Sequence, residues 1–203
     1  MKYSALILAA GFSSRMGRFK PLLPLGTTTV LQRVISIFQT AGVEDIRVIT
    51  GHRADDIEPF ATVMGVKTIF NADFKNGMFS SVQTGVQSLS PERSAFFVLP
   101  VDIPLVAPDT VKGLLAAWEA NRPVVAYPIF QGRRGHPPLI SMGIRDHILN
   151  WSGHQGLRGA LEALEDPGLE VETDDRYILM DMDRPEDYEQ IQQWAQTPDH
   201  PAR

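Results

Sequence analysis

Four stretches of this chain hold residue types suited to moving a phosphorylated group. Residues 6–26 read LILAAGFSSRMGRFKPLLPLG: an apolar run meets Leu8, Ala9, Ala10 and Gly11, then Arg15, Arg18 and Lys20. Small residues let the backbone come close to a ligand, and backbone N–H groups there can cradle phosphate oxygens, to which Arg15 and Lys20 add positive charge. Residues 99–105, LPVDIPL, set Asp102 just past an apolar strand, where a carboxylate can hold a divalent metal against phosphate oxygens. Residues 180–188, MDMDRPEDY, alternate Asp181 and Asp183 with methionines at the end of a predicted strand. Period-two spacing puts both carboxylates on one face, and one of them could complete a metal site with Asp102. Lastly, GRRGHPPLIS (132–141) and GHQGLR (153–158) each carry a Gly-His step amid basic residues, a pattern for a second, partly basic pocket that takes an acceptor.

Each stretch also has a plainer explanation. The first could be a solvated loop with ordinary surface cations; it has neither the GK[ST] ending of a P-loop nor G-x-G-x-x-G. Asp102 could cap a nearby helix, although Asp109 is better placed to do so. Asp183 precedes Pro185, a residue suited to a first helical turn, so it could be an N-cap instead of a metal ligand. A lone histidine is usually structural.

These segments need a scaffold that brings them together. Tyr3 to Ala9 reads as a buried strand, and residues 28–41 carry apolar residues at helical spacing until Gly42. Strands are predicted over 46–50, 66–70, 95–99, 124–128, 137–141 and 177–180. Helices are predicted over 54–64, 78–89, 109–121 and 186–194, with polar helical segments from about 142 to 164. The tail from about 196 is expected to fray. Alternating strands and helices, several strands apolar throughout, predict a single α/β domain over 1–203, doubly wound, with a mostly parallel sheet covered on both faces. In such sheets ligands sit beyond the carboxyl ends of the strands, where the strand order switches. The opening loop, VDIP and MDMD all fall at that edge.

Composition narrows the classes further. The 203 residues are 43% hydrophobic and 21% charged, with net charge −5, so no electrostatic footprint for nucleic acid is present. An acidic chain that binds an anion must use locally placed cations, which draws attention to Arg15 and Lys20. Cysteine is absent, which excludes disulfides, thiolate nucleophiles and Cys-ligated zinc. The N-terminal apolar run is too short for a membrane span and lacks a signal-peptide pattern, so no membrane partner is expected and the cytoplasm is the expected compartment.

LAAGFSSRMGRFK, residues 8–20, resembles the signature loop of the MobA-like nucleotidyltransferases, LAAG-x-S-x-R-M-G-x-x-K, at every position. NADFKNGMFSSVQTG (71–85) is similar to the family's N…GM…S segment, PVDIP to its metal-binding aspartate motif and MDMDRPEDY to its terminal D-I-D-T-P-E-D. GRRGHPPLIS and GHQGLR resemble the branch that transfers CMP to molybdopterin, where RGHPV and GDQGAR are usual. His154 and Leu157 depart from GDQGAR, and Arg184 replaces the common threonine. The resemblance implies a Rossmann-like fold of the nucleotide-diphospho-sugar transferase type and metal-dependent transfer of a nucleoside monophosphate, CTP being the favoured donor and molybdopterin the acceptor, with release of pyrophosphate. Leu8, Ala9, Ala10, Gly11, Ser80, Ser81 and Gly85 would contact the nucleotide. Arg15 and Lys20 would hold the triphosphate. Asp102 and Asp183, with Asp181 as a further candidate, would bind Mg2+, or Mn2+ in its place, and Arg134 and His136 would face the acceptor. It also implies passing contact with a molybdoenzyme or its chaperone. Rivals are transfer of GMP, or of another nucleotide to a sugar or polyol phosphate, and a non-catalytic protein that binds nucleotide or delivers the molybdenum cofactor.

Overall fold

The computed structural model describes residues 1–152 and 154–195; the tail expected to fray and Gly153 of the GHQGLR loop lie outside the described residues. The chain begins with β1 (Tyr3–Leu8), buried from Ser4 onward, as a strand covered on both faces must be. A loop and a short 3-10 turn, Lys20–Leu22, lead to a small hairpin of β2 (Pro24–Leu25) and β3 (Thr28–Thr29), and then to α1 (Val30–Thr40). Thr29 and Gln32 form a reciprocal capping box there, which satisfies two otherwise unpaired donors and explains why the helix begins at Val30. Next come β4 (Asp45–Thr50), α2 (Ala54–Val63), β5 (Lys67–Phe70), α3 (Met78–Ser88), β6 (Ala95–Pro100) and α4 (Pro108–Asn121). The second half holds β7 (Val125–Phe130), β8 (Arg133–Arg134), β9 (Leu139–Ser141), α5 (Arg145–Asn150), α6 (Gly156–Glu162), β10 (Leu169–Glu172) and α7 (Pro185–Ala195).

The main sheet runs β10-β7-β9-β6-β1-β4-β5, with β8 beside β7. β1 is parallel to both β4 and β6, β4 to β5, and β7 to β10, while β9 runs antiparallel between β6 and β7. From β1 the chain moves outward through β4 and β5 and then returns to place β6 on the other side. The switch point therefore lies between β1 and β6, where the 9–11 and 100–102 segments leave the sheet side by side. One apolar cluster joins that sheet to α1, α2, α4 and α7 on one face. A second joins it to α3, α5 and α6 on the other. Gly85 sits in this second layer: a Cβ there would lie 2.9 Å from Leu6 Cδ1 and 3.2 Å from Ile49, so its smallness lets α3 lie close to the sheet.

One predicted strand is corrected. Residues 176–179 form a 3-10 turn, with the Asp175 side chain accepting the Tyr177 N–H at its start. The edge strand is Leu169–Glu172, pairing with β7. Its alternating half-buried and exposed residues suit an edge position but are too short and too charged to stand out. Because residues 180–183 extend from a turn, the strand argument for Asp181 and Asp183 does not apply. The alternation survives locally, since Met182 is fully buried and donates its N–H to the Asp102 carbonyl at 2.8 Å.

Candidate active site

At the switch point the opening loop folds back on itself. Met16 is buried and anchors it, Ser13 takes a left-handed conformation (φ 55°), and the Ser13 hydroxyl accepts the Lys20 N–H at 3.1 Å. This brings the Lys20 side chain inward, 10% exposed, with Nζ 2.9 Å from Asp102 Oδ2 and 2.8 Å from Asp183 Oδ1. Arg15 reaches the other oxygen of Asp183 at 2.5 Å. Burial alone would push the Lys20 ammonium down, but the charges and hydrogen bonds of Asp102 and Asp183 raise it above its ordinary value, so it stays protonated at neutral pH. The hydrogen bond from Lys20 leads in holding the Asp183 carboxyl below the usual carboxylate range. Asp181 behaves oppositely: burial, then the charges of Asp183 and Asp102, push its carboxyl up.

Neither aspartate serves as the cap considered for it. At the start of α7 the Asp187 carboxylate accepts the N–H groups of Asp183 and Arg184, leaving the Asp183 side chain to the cations. At α4 the N-cap is Ala107, which has no capping side chain, and Asp175 supplies the acceptor from 68 positions away, 2.7 Å from the Ala107 N–H.

Two cavities adjoin here; Lys20 and Asp102 line the smaller, while Arg15, Asp181 and Asp183 line neither. The smaller, about 300 Å³, is lined by residues 8–13, Lys20, Phe74, Lys75, Ser81 and Asp102, among others. The larger, about 640 Å³, is lined mainly by apolar groups, including Phe79, Val82, Val98, Tyr127 and Leu161, with Arg134, His136 and Arg158 among its polar residues. Leu8, Met78 and Pro100 face both, so a ligand in one can touch a ligand in the other. Thus Leu8, Ala9, Ala10, Gly11, Lys20, Ser81 and Asp102 share the smaller space, while Arg134 and His136 line the larger. Ser80 lines neither; its hydroxyl accepts from Asn71 Nδ2 at 2.9 Å and helps brace the turn before α3. Gly85 is behind the cavity, in the packing layer.

His136 is mostly buried, and its Nδ1 has no hydrogen-bond partner. Burial lowers its pKa, outweighing the Asp102 charge, the Val98 carbonyl and the Asp181 charge, which act upward. At neutral pH the uncharged imidazole is therefore favoured, with its unpartnered Nδ1 buried. The Arg134 guanidinium lies 4.5 Å over the Tyr127 ring, tied to Glu170 at 2.7 Å and the Pro167 carbonyl at 2.6 Å.

Two carboxylates converging on one cation, with a third close enough to feel them, form a donor set suited to a hard divalent ion. Asp102 and Asp183 would hold such an ion only once Lys20 has turned to another partner. Among the described residues no group of three or more His, Asp or Glu is arranged to hold a metal ion. Sequence reasoning missed Lys75, Tyr127, Arg158 and Asp175. Lys75 and Arg158 stood inside quoted motifs, 71–85 and GHQGLR, but Tyr127 and Asp175 fall at positions no motif marks.

Residues 5–168 match the model of the MobA-like NTP transferase domain. The chain is 29% identical over 90% of its length, and 92% of the relative's, to the molybdenum cofactor cytidylyltransferase of Escherichia coli (strain K12). Its fold is similar to that of Rv0371c from Mycobacterium tuberculosis, with a TM-score of 0.84, 23% identity and coverage of 95% of this chain and 98% of that one. Rv0371c has also been solved in complex with manganese; that structure has a TM-score of 0.78 and 22% identity and covers 95% of this chain and 98% of that one. Among the described residues no helix is long and apolar enough to cross a membrane.

Proposed function

The chain belongs to the MobA-like NTP transferase family, and from that premise we propose that it transfers CMP from CTP to the terminal phosphate of molybdopterin, releasing pyrophosphate. The observation that carries this reading is the pair of adjoining cavities. One is small and lined by the opening loop, Lys20 and Asp102; the other is larger and mainly apolar; and Leu8, Met78 and Pro100 face both. A polyol phosphate would need many hydrogen-bonding groups around its hydroxyls. The larger cavity instead offers an apolar body with a few cations, which suits a flat heterocycle bearing a phosphate. The 29% identity to a cytidylyltransferase supports the donor assignment.

The chemistry needs no protein nucleophile. An oxygen of the acceptor phosphate attacks the α-phosphorus in line, forming the new O–P bond as the bond to the β-phosphate oxygen breaks and pyrophosphate leaves with that electron pair. The protein contributes position and charge. Lys20 exchanges its carboxylate partners for phosphate oxygens, and Arg15 does the same at the rim. His136, uncharged, lines the acceptor cavity without adding charge to it. A divalent ion, magnesium or manganese, held by Asp102 and Asp183 with Asp181 alongside, would neutralise the triphosphate oxygens. We assign the whole chain to one nucleotidyltransferase domain acting in the cytoplasm, where nucleoside triphosphates are available.

The test is pyrophosphate release measured with CTP, GTP, UTP and ATP against molybdopterin and a polyol phosphate, with Mg2+, Mn2+ or EDTA. Release with CTP and molybdopterin, lost in EDTA, is expected. Nucleotide binding without release under any combination would overturn the enzymatic reading in favour of a carrier.

A further inference from the structure

Asp175 is 9% exposed and lies outside every motif and both cavities. Its Oδ2 accepts the Ala107 N–H at 2.7 Å and the Thr110 hydroxyl at 2.8 Å, at the start of α4. Its Oδ1 accepts the Tyr177 N–H at 3.0 Å, which sets the 3-10 turn 176–179. That turn carries the Ile178 carbonyl, which accepts the His136 N–H at 2.9 Å. The fit there is close: a Cβ on Gly135 would lie 2.6 Å from both the Ile178 carbonyl oxygen and its Cγ1. Four residues beyond Ile178, Met182 binds the Asp102 carbonyl, and Asp183 follows.

This carboxylate thus ties the helix that follows the Asp102 loop to the turn 176–179, and that turn holds the His136 loop through Ile178 and leads on to Asp183. A helix N-terminus needing only stability would be served by Ser, Thr or Asp at the N-cap itself. Here that position is Ala107, and the acceptor comes from a distant segment. Nor is there a cation against this carboxylate in any ion pair of the described residues. Burial pushes it up, outweighing the hydrogen bonds from Ala107, Thr110 and Tyr177. A desolvated, unpaired carboxylate is a costly way to cap a helix, whereas a rigid link between two halves of a site needs two acceptor oxygens facing different segments.

We propose that Asp175 is a positioning residue that sets the spacing between the acceptor side of the site, at His136, and the phosphate side, at Asp102 and Asp183. The role rests on the nucleotidyl-transfer reading, so one readout must not depend on activity. The first experiment measures amide hydrogen exchange at His136 and at Leu99 in β6 for the ligand-free wild type, Asp175→Ala and Val111→Ala. Val111 is a buried α4 residue and controls for lost stability alone. Protection at His136 should fall about tenfold or more beyond that at Leu99 in Asp175→Ala, but not in Val111→Ala. The second measures kinetics at a temperature where circular dichroism shows each variant folded. With reacting groups displaced by a fraction of an ångström to an ångström, kcat should fall about tenfold to a hundredfold and KM for the acceptor should rise. The Kd for CTP, which depends on the opening loop, should change less than about threefold. Asp175→Asn keeps one acceptor oxygen and should recover part of the loss. If Asp175→Ala does not fold, Thr110→Val, which removes one bond to the same carboxylate, should show the same pattern in weaker form. Equal loss of protection at His136 and Leu99, or equal kinetic loss in Val111→Ala, would reduce Asp175 to a stabilising cap. If the wild type transfers no nucleotide, the functional reading fails, and the exchange comparison still decides whether Asp175 holds His136.

Discussion

Replacing Lys20 by methionine keeps an apolar stem and removes one ammonium from between two carboxylates. In the wild type that ammonium is 2.9 Å from Asp102 and 2.8 Å from Asp183, and the three side chains are 10%, 20% and 27% exposed. Breaking a fully buried ion pair costs about 3–5 kcal/mol because a charge is left unpaired. Here the carboxylates keep some water and Asp183 keeps Arg15, so about 2 kcal/mol is the better figure. For a chain of this length that corresponds to a fall in Tm of roughly 5 °C. Turnover should fall more, by about two to four orders of magnitude, because the lost cation acts on charge that develops in the transition state. A divalent ion should now enter without competition from the ammonium. At ten times its Kd it returns about 1.4 kcal/mol, so Mg2+ or Mn2+ should raise Tm by several degrees more in Lys20→Met than in the wild type. Thermal melts with each ion and with EDTA, beside pyrophosphate-release rates, test both halves. Near-normal turnover would mean that the opening loop is not the phosphate site. A variant whose Tm is unchanged by metal would remove Asp102 and Asp183 as the place where an ion binds.

Ala10 lines the smaller cavity and is 5% exposed. The wild type should favour CTP over GTP by roughly tenfold to a hundredfold in kcat/KM, and Ala10→Gly should narrow that ratio; a ratio that does not move removes Ala10 as its cause. Lys75 lines the same cavity and forms no ion pair among the described residues, so Lys75→Ala should raise KM for the nucleotide by roughly twofold to fivefold with kcat little changed. The effect should shrink as salt screens the charge, which a KM series against ionic strength would reveal. Far from the site, Asp45 accepts from Ser4 at 2.7 Å and pairs with Arg47 and Arg93. Burial pushes its carboxyl up, but those hydrogen bonds and charges bring it below the ordinary carboxylate value. Its contribution is therefore complete above about pH 4 and is lost as pH falls through the lower folded value. Asp45→Asn should lower stability by about 2–3 kcal/mol at pH 7, with the gap from wild type closing below about pH 4 in urea melts.

Much of this protein could be read from residues close together along the chain. The apolar runs at 3–8 and 95–100 announce buried parallel strands because a strand covered on both faces has no polar side to alternate with, and the β-branched residues of 46–50 announce their neighbour. The small-residue loop with Arg15 and Lys20 announces an anion site because its chemistry is contained within a dozen positions. The switch-point rule then located Asp102 at the same edge before any side chain was placed. Other features depend on partners distant in sequence. Lys20 meets Asp102 across 82 positions and Asp183 across 163; the motifs suggest that these groups belong together, but not that the lysine takes the place suited to an ion. Leu169–Glu172 became a strand only because β7 offered an open edge, while 177–180, apolar enough for a strand, turned because Asp175 captured the Tyr177 N–H. Gly85, inside a motif, proved to face Leu6 and Ile49 rather than the cavity, since the side of α3 on which it falls is set by how closely the helix approaches the sheet. Asp175 stands in no motif: nothing in the residues beside it announces a carboxylate that caps a helix 68 positions away. Periodicity and turn chemistry act over a few residues and are written locally, whereas pairings that close a site depend on where the sheet order brings the loops, and that is decided when the whole chain packs.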